Sequence, residues 1–323
     1  MAFPNELNQV LEKQLAQIPR SVLSMAAAGL TERYRSPDRD QLQTFMISDN
    51  HRLAYLATRM PATYVVVNSV LEECARRVPS FSPGSICDIG SGPGTAAWAA
   101  LAVFQSITKA TLHEKDKGWL QLGKLLMEHS GQLVLNHAIW KETDLMNEAD
   151  FGIHDLVVLS YVVGELPIEV MDRLISNAWN SASQMLVVIE PGTPHGFERI
   201  RGVRDQLILS GASLVAPCPH HRKCPMEKGD WCHFSERLER SRLHMAAKDV
   251  SLGYEDEKFS YIAACKVPVA LPNSRILRHP QHHSGHTNFV LCAKEGLEKR
   301  TISRRHKDLY KRAKKLQWGD ILE

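Results

Sequence analysis

Ser85-Ile-Cys-Asp-Ile-Gly-Ser-Gly-Pro-Gly-Thr95 joins a short apolar run to three closely spaced glycines, and the stretch 96–104 that follows has the composition of a helix. Glycine allows a sharp turn and lets a ligand lie against the backbone without a clash with a Cβ atom. A strand, a glycine turn and a helix in this order therefore predict a ligand-binding loop at the edge of a Rossmann-like sheet.

The spacing of the glycines indicates which cofactor this loop binds. A dinucleotide fingerprint has glycine at its first, third and sixth positions. Here the glycines are Gly90, Gly92 and Gly94, and the sixth position is Thr95. This spacing favours the loop of S-adenosylmethionine enzymes over a nicotinamide site.

Acidic residues follow the loop at the ends of later predicted strands. Glu114 lies 24 residues after Gly90, where a carboxylate would bind ribose hydroxyls, and Asp116 is the alternative. Asp144 follows the third predicted strand and is expected near the adenine amino group. The full predicted cofactor-binding set is Asp88, Gly90, Gly92, Gly94, Glu114, Asp144 and Ser160.

Apolar runs and helical patterns alternate after residue 83, which predicts an α/β domain with a mostly parallel sheet. Two late runs, 259–265 and 289–292, would complete a seven-stranded sheet. Residues 1–82 have helical periodicity without strand patterns and are predicted to form an N-terminal helical region. The expected division is 1–82 and 83–323, the latter including a Cys-rich insert at 213–240 and a basic C-terminal tail at 294–323.

Composition limits the class of protein. A chain of 323 residues that is 44% hydrophobic can bury a substantial core. Apolar runs stay shorter than the roughly 20 residues that a membrane span needs, so no membrane association is expected. The first residues, Met1-Ala-Phe-Pro-Asn-Glu6, lack the layout of a signal or transit peptide, and we expect a cytoplasmic protein.

Four cysteines in the second half of the chain form the predicted metal site. Cys218, Cys224 and Cys232 lie in one short Pro- and His-rich segment, and Cys292 follows 60 residues later. Four thiolates suit either zinc or a [4Fe–4S] cluster. Zinc sites commonly use shorter Cys-x2-4-Cys spacings, so the wider spacing here favours the cluster. Cys265 is the competing fourth ligand.

A basic segment near the C-terminus indicates a polyanionic partner. Residues 294–315 contain ten Lys or Arg and three acidic residues, although the net charge of the whole chain is only +3. Such a concentration of charge is typical of nucleic-acid binding, and a solvated helix is the other interpretation. The predicted RNA-binding residues are Arg300, Arg304, Arg305, Lys307, Lys311 and Arg312.

With these motifs assembled, the chain resembles the methyltransferase-like proteins of the small ribosomal subunit that occur in mitochondria and bacteria, the "methyltransferase-like seventeen" group. The resemblance covers most of the chain, and its more specific parts are the cysteine block and the terminal Trp-Gly-Asp. The matching stretches are Tyr55–Tyr64, Asp88–Thr95, Ser160–Leu166, Glu190–Gly196, Pro217–His220, Cys232–Ser235 and Tyr310–Asp320.

The resemblance implies a class I methyltransferase fold, a four-cysteine iron–sulfur cluster and a role in assembly of the small ribosomal subunit through ribosomal RNA. Two functions follow from it: an S-adenosylmethionine-dependent rRNA methyltransferase, or a catalytically inactive iron–sulfur assembly factor that binds the same RNA. The usual acceptor motif Asn/Asp-Pro-Pro-Tyr is replaced by Ser160-Tyr-Val-Val-Gly-Glu165. Glu165 is the only candidate catalytic residue, and a structural carboxylate at a helix N-terminus is the alternative.

Overall fold

A computed structural model describes residues 3–16, 18–35 and 48–323 of the chain. Part of the predicted N-terminal helical region, residues 36–47, lies outside the described residues. The helices, in chain order, are α1 Asn5–Leu15, α2 Arg20–Arg35, α3 Asp49–Thr58, α4 Met60–Arg77, α5 Thr95–Val103, α6 Lys117–Glu128, α7 Leu133–Asn136, α8 Ile168–Ser181, α9 Pro194–Leu209, α10 Arg242–Lys248 and α11 Lys307–Ala313, with short 3-10 turns at Val163–Glu165 and Arg304–His306.

Twelve strands are present in the described part of the chain. They are β1 Ser85–Ile89, β2 Lys109–Glu114, β3 Ile139–Glu142, β4 His154–Ser160, β5 Ala182–Pro191, β6 Ser213–Ala216, β7 Phe234–Glu239, β8 Tyr254–Cys265, β9 Ser274–Ile276, β10 Gln281–His282, β11 His286–Ala293 and β12 Gly296–Ser303. Within the described stretch from β1 to β6 the helices and strands largely alternate, as the sequence pattern predicts, except that α6 and α7 both precede β3 and no α-helix separates β3 from β4.

The main sheet is mixed and has the strand order β3-β2-β1-β4-β5-β8-β6. The first five strands of this order are parallel, and β8 runs antiparallel to both β5 and β6. This is a doubly wound sheet in which one antiparallel strand, β8, lies between β5 and β6. The arrangement is that of a class I methyltransferase-like fold, and it brings the carboxyl ends of β1, β2, β3 and β4 to one edge.

The predicted seven-strand composition of this sheet needs correction. The sheet has eight strands, because β7 pairs with the first half of β8 while β5 and β6 pair with its second half. The run 289–292 does not join it. That run belongs to β11, which pairs with β9, β10 and β12 in a separate antiparallel sheet. Apolar alternation identifies both strands, but it cannot specify which partner a strand pairs with.

The apolar run at 134–140, which has the composition of a single strand, is divided between two elements. It forms the single-turn helix α7 and the edge strand β3. Short apolar runs are ambiguous between helix and strand, and here the backbone N–H of His137 closes the turn on the carbonyl oxygen of Leu133.

The N-terminal helices pack against the main sheet and share its core. Helix α1 buries Leu7, Leu11 and Leu15, one residue per turn. Helix α4 is buried over most of its length, and Pro61 occupies its first turn, where the missing N–H of proline has no cost. Helix α4 packs against α5, the helix that follows the glycine loop, and therefore lies on the same face of the sheet as α5.

The predicted basic C-terminal tail is a folded part of the second sheet. Residues 296–303 form β12, so Arg300 lies on a strand and not on a helix. The chain then turns through Arg304–His306 into α11, where Tyr310 and Ala313 are buried against the core of this sheet. Among the described helices, none is long and apolar enough to cross a membrane.

Candidate functional site

The glycine loop leaves β1 through three residues in the left-handed conformation. The φ angles of Gly90, Gly92 and Gly94 are 69°, 54° and 84°, a region that side chains disfavour. The backbone N–H groups of Gly90 and Ser91 both donate to the carbonyl oxygen of His113 at the end of β2, at 2.8 and 3.1 Å. The loop is thereby fixed to the neighbouring strand.

The three glycines have different surroundings. A Cβ atom on Gly90 would lie 2.3 Å from the side chain of Val162, and one on Gly94 would lie 2.4 Å from Met127. A Cβ atom on Gly92 would meet nothing within 4 Å among the described residues. Packing inside the protein therefore explains two of the glycines, while Gly92 presents bare backbone to open space.

Glu114 lies against this loop, as predicted. Its carboxylate accepts hydrogen bonds from the backbone N–H groups of Gly92, Lys115 and Asp116, each at 2.8 Å. Burial raises the pKa of Glu114, although these three donors lower it. The alternative residue, Asp116, caps α6 and forms an ion pair with Arg52 at 2.6 Å, so its carboxylate is used elsewhere.

Polar groups of the loop are buried with weak or no partners. Within the described part of the chain, the hydroxyls of Ser91 and Thr95 have no hydrogen bond, and the carboxyl oxygens of Asp88 lie near the backbone N–H groups of Ala96 and Ala97 without a well-formed hydrogen bond. Burial raises the pKa of Asp88 to about 7, despite a lowering by these two amides at the start of α5. Unpaired buried polar atoms are rare in folded proteins, so these groups have hydrogen-bonding capacity for a ligand.

The remaining predicted cofactor residues lie at the same edge. Asp144 follows β3, and its carboxylate is 2.8 Å from the ammonium of Lys115, which lowers its pKa. Ser160 ends β4, and the preceding residue is paired with Ile89 beside the loop. The structure therefore brings the predicted set to one edge of the sheet, and it places Glu165, the weak catalytic candidate, on an exposed 3-10 turn after β4.

Tyr161 is a feature of this edge that the sequence does not reveal. It has a φ of 61°, an outlier for a bulky side chain, and its backbone N–H donates to the carbonyl oxygen of Ile189 at 2.8 Å. The conformation directs the chain so that Val162 packs under Gly90. No local sequence pattern distinguishes such a residue from an ordinary strand end.

The four predicted metal-ligating cysteines line one cavity. Cys218 and Cys224 lie in the irregular segment between β6 and β7, Cys232 lies just before β7, and Cys292 is on β11. Prolines 217, 219 and 225 prevent regular structure in that segment because they lack a backbone N–H. Phe197, Met226 and Leu277 pack around the thiols.

The electrostatics of this cavity disfavour free thiolates at three of the positions. Burial raises the pKa values of Cys224 and Cys232, and it raises the pKa of Cys292 to about 12. Two side-chain nitrogens face the sulfurs: Arg204 Nε donates to Cys218 Sγ at 3.4 Å, and His220 Nε2 lies 3.5 Å from Cys292 Sγ, where the tautomer of the ring sets which atom donates. Hydrogen bonds of this kind are typical around metal-bound thiolates.

The competing ligand, Cys265, lies elsewhere. Its Sγ donates to the carbonyl oxygen of Val267 at 2.9 Å, and it is buried at the end of β8 outside the cavity lining. In the residues that the structure describes, no group of three or more His, Cys, Asp or Glu side chains has the arrangement that would hold a metal ion.

The predicted RNA-binding residues are on the second sheet and its helix. Arg304, Arg305, Lys307 and Arg312 are exposed, and Lys311 is exposed beside Asp308 at 3.1 Å. Arg300 differs because two of its nitrogens, Nε and Nη2, donate to the carboxylate of Glu298, at 2.7 and 2.9 Å.

Comparisons with solved structures return methyltransferases at low similarity. Magnesium protoporphyrin IX methyltransferase from Synechocystis PCC 6803, with bound SAM, aligns over 83% of this chain and 100% of its own at 12% identity, with a TM-score of 0.42. The N-methyltransferase NodS from Bradyrhizobium japonicum covers 63% of this chain and 96% of its own at 13% identity, with a TM-score of 0.39. The methyltransferase-like fold is assigned from the strand order of the main sheet and not from these two alignments.

Sequence comparisons identify a more specific group. The human ribosome assembly protein METTL17, mitochondrial, is 26% identical over 306 residues, which is 87% of this chain and 64% of METTL17. The ribosome assembly protein RSM22, mitochondrial, of Saccharomyces cerevisiae is 22% identical over 420 residues, covering 83% of this chain and 66% of RSM22. This chain thus spans slightly less than two thirds of the length of either relative. The family model described as mitochondrial small ribosomal subunit Rsm22 matches residues 49–323, and the chain therefore belongs to the Rsm22 family.

Proposed function

We propose that this protein binds S-adenosylmethionine at the glycine loop and takes part in assembly of the small ribosomal subunit by acting on or binding its RNA. The observation that supports the cofactor is the bare backbone of Gly92 beside the Glu114 carboxylate. Glu114 would accept hydrogen bonds from the ribose hydroxyls, and Asp88, Ser91 and Thr95 would supply polar groups to the remainder of the ligand. When bound, the cofactor supplies an activated methyl group.

A substitution at Gly92 tests the cofactor site. Asp tolerates the left-handed conformation, so Gly92→Asp should fold while placing a side chain and a negative charge where the ligand approaches. We expect calorimetry to show at least a tenfold loss of S-adenosylmethionine affinity. Unchanged affinity would place the cofactor elsewhere.

Gly211→Asp is the matched control. Gly211 also has a positive φ of 79°, and a Cβ atom there would meet nothing within 4 Å among the described residues, but it precedes β6 at the opposite edge of the sheet. This variant should bind the cofactor like the wild type. A wild-type chain without measurable affinity would exclude the methyltransferase interpretation and leave the catalytically inactive assembly factor.

The ribosomal part of the proposal is supported by family membership and by the exposed basic residues of the second sheet and α11. The relatives named above are ribosome assembly proteins, and RNA is the polyanion that a ribosome assembly factor meets. Glu165 would lie on the acceptor side of the site if methyl transfer occurs, since it follows β4. Radiolabelled methyl transfer to small-subunit rRNA, compared between wild type and Glu165→Gln, separates a methyltransferase from a binding factor.

We further propose that Cys218, Cys224, Cys232 and Cys292 hold a [4Fe–4S] cluster. The support is that all four thiols line one cavity enclosed by apolar side chains, with a guanidinium N–H donating to one sulfur and an imidazole nitrogen facing another. The cluster would join the segment between β6 and β7 to the second sheet.

Iron content tests this proposal. We expect about four irons per chain after anaerobic purification, because four thiolates bind one cluster. Cys218→Ser and Cys224→Ser should lose the iron, whereas Cys265→Ser should keep it, because Cys265 does not line the cavity. Stoichiometric zinc without iron would contradict the proposal.

A further inference from the structure

Helix α9 carries an arginine on its buried face. Arg204 lies on the same side of the helix as Phe197, Ile200 and Leu207, and its side chain is 3% exposed. A guanidinium stays charged at any physiological pH, so burying it is costly unless nearby groups compensate the charge. The groups that surround Arg204 therefore indicate its role.

The N–H groups of Arg204 donate to the first half of the cysteine segment, which is the irregular chain between β6 and β7. Nε donates to the sulfur of Cys218 at 3.4 Å, and Nη2 donates to the carbonyl oxygens of His220 and Arg222 at 3.0 and 2.5 Å. The one carboxylate partner, Asp205, is 52% exposed, where solvent weakens an ion pair. Arg204 thus fixes the segment 218–222 and places a positive charge against one thiol.

The same guanidinium also positions an imidazole ring. The carbonyl of His220 is held by Arg204, and Nε2 of the His220 ring lies 3.5 Å from the sulfur of Cys292. Cys292 lies on β11, in the other sheet. One buried cation therefore positions polar nitrogens at sulfurs that come from two parts of the fold.

We propose that Arg204 is a positioning residue for the iron–sulfur cluster, which holds the Cys218 segment and shifts the cluster's midpoint potential to a more positive value. This inference rests on the cluster proposed above. The potential of a cluster depends on the net charge around it, on hydrogen bonds to its sulfurs and on its exposure to solvent. A nearby cation and an N–H···S bond both favour the reduced state, which carries one more negative charge.

The sign of the shift separates this role from a merely structural one. If Arg204 only kept the segment folded, its removal would admit water, and solvation of the more negative reduced state would raise the potential. If its charge and its N–H group act on the cluster, removal lowers the potential.

The test compares anaerobically purified wild type with Arg204→Met, Arg204→Lys and a control, Arg201→Met. Arg201 lies on the same helix and lines the same cavity, but its ion pair is with Glu198 at the surface. Iron per chain and the midpoint potential, from a redox titration followed by visible absorbance, are measured for each protein. We expect a more negative midpoint for Arg204→Met and a partial return for Arg204→Lys, which keeps the charge. Arg201→Met should shift the midpoint less than Arg204→Met, because the Arg201 charge is partly exposed and paired with Glu198.

An iron-loaded Arg204→Met chain with an unchanged or more positive midpoint would overturn the inference. If this variant does not retain iron, Arg204→Gln decides, because Gln keeps an N–H donor and loses the charge: an unchanged or more positive midpoint overturns the inference, and a more negative one supports it. Wild type without iron would refute the cluster proposal and this inference together. Wild type with iron beside unshifted Arg204 variants would remove the role of Arg204 alone.

Discussion

At the scale of single residues, the three loop glycines illustrate how one motif combines structural and ligand-related constraints. Val162 occupies the space into which a side chain on Gly90 would extend, and a positive φ together with the end of the Met127 side chain restricts Gly94. Gly92 has open space and a positive φ, so only its backbone conformation and an incoming ligand restrict it. The sequence motif alone cannot distinguish these reasons.

Asp88 gives a pH-dependence prediction at this scale. Its pKa in the folded chain is raised by burial to about 7, whereas an unfolded Asp has a pKa of about 3.9. Above pH 5 the Asp88 carboxyl is ionised in the unfolded chain, but in the folded chain it stays mostly protonated up to about pH 7. The stability of the folded chain therefore falls as pH rises. Asn stays neutral at every pH. We therefore expect the free energy of unfolding of Asp88→Asn, relative to that of the wild type, to increase by roughly 2–3 kcal/mol between about pH 5 and pH 8, as measured by urea unfolding.

Asp155 provides the matched control for this experiment. Burial raises its pKa, but hydrogen bonds from Gln184, Ser183, Gly84 and Ser85 outweigh that effect and lower it. The stability that Asp155 contributes is fully present above the pKa of the unfolded residue, so Asp155→Asn should destabilise the chain equally at pH 5 and pH 8. If the Asp88→Asn difference is also constant with pH, the buried carboxyl does not titrate as described.

At the scale of elements, the basic residues form two groups, although their sequence pattern is that of one helix. Arg300 lies on β12 and is bonded to Glu298, so its charge is largely neutralised. The 3-10 turn and α11 instead display their basic side chains outward while Tyr310 and Ala313 anchor the helix. Electrostatic attraction to RNA should come mainly from this second group.

Joint replacement of Arg304, Arg305, Lys311 and Arg312 by Gln tests that surface. Affinity for small-subunit rRNA should fall, and the slope of log affinity against log salt should become shallower by about 0.7 for each single-strand phosphate that the variant no longer binds. Cofactor affinity should not change, because the substituted residues lie outside the glycine loop. Filter binding over a series of salt concentrations measures RNA affinity and slope, and calorimetry measures cofactor affinity.

The control for this variant removes the same charge from other exposed positions. It carries Gln at Lys13, Arg20, Lys109 and Lys124. An equal loss of RNA affinity and slope in both variants would mean that net charge alone drives binding. Unchanged binding in the first variant would move the RNA site away from α11.

At the scale of the whole molecule, one buried arginine connects three distant segments. Arg275, on β9, donates to the carbonyl oxygens of Pro217 and Gly319 at 3.0 and 2.7 Å and to the carboxylate of Glu73 at 2.7 Å. It therefore joins the second sheet to the cysteine segment, to the C-terminus and to helix α4 of the N-terminal region. Its own side chain is 3% exposed and that of Glu73 is 11% exposed.

Removing this guanidinium should destabilise the entire chain. Arg275→Met leaves the Glu73 carboxylate with the largely exposed Arg76, at 3.0 Å, and removes the donor from the carbonyl oxygens of Pro217 and Gly319, which should together cost roughly 3 kcal/mol. Arg237→Met is the control, because Arg237 makes a similar two-bond pair with Asp256 on exposed strands, where solvent screens the pair and little stability should be lost. Equal losses in denaturant unfolding of the two variants would show that Arg275 does not connect the parts of the fold.

The sequence by itself determined the features that depend on neighbouring residues. The strand, glycine turn and helix at 85–103, the helical pattern before residue 83 and the alternation that follows are local signals, because turn conformation and hydrophobic period are set by nearby residues. The acidic residues at the strand ends follow from the same logic, since carboxyl ends of parallel strands meet at one edge.

Only the tertiary structure decided which distant segments meet. Strand β11 joins a separate sheet, Cys292 reaches the cavity of the cysteine segment, and Arg204 turns from the apolar face of α9 toward Cys218. An arginine among the buried positions of an amphipathic helix was a visible signal, but its partner was not. Strand pairing and compensation of a buried charge are set by residues far apart in the chain, and neither leaves a periodic pattern in the sequence.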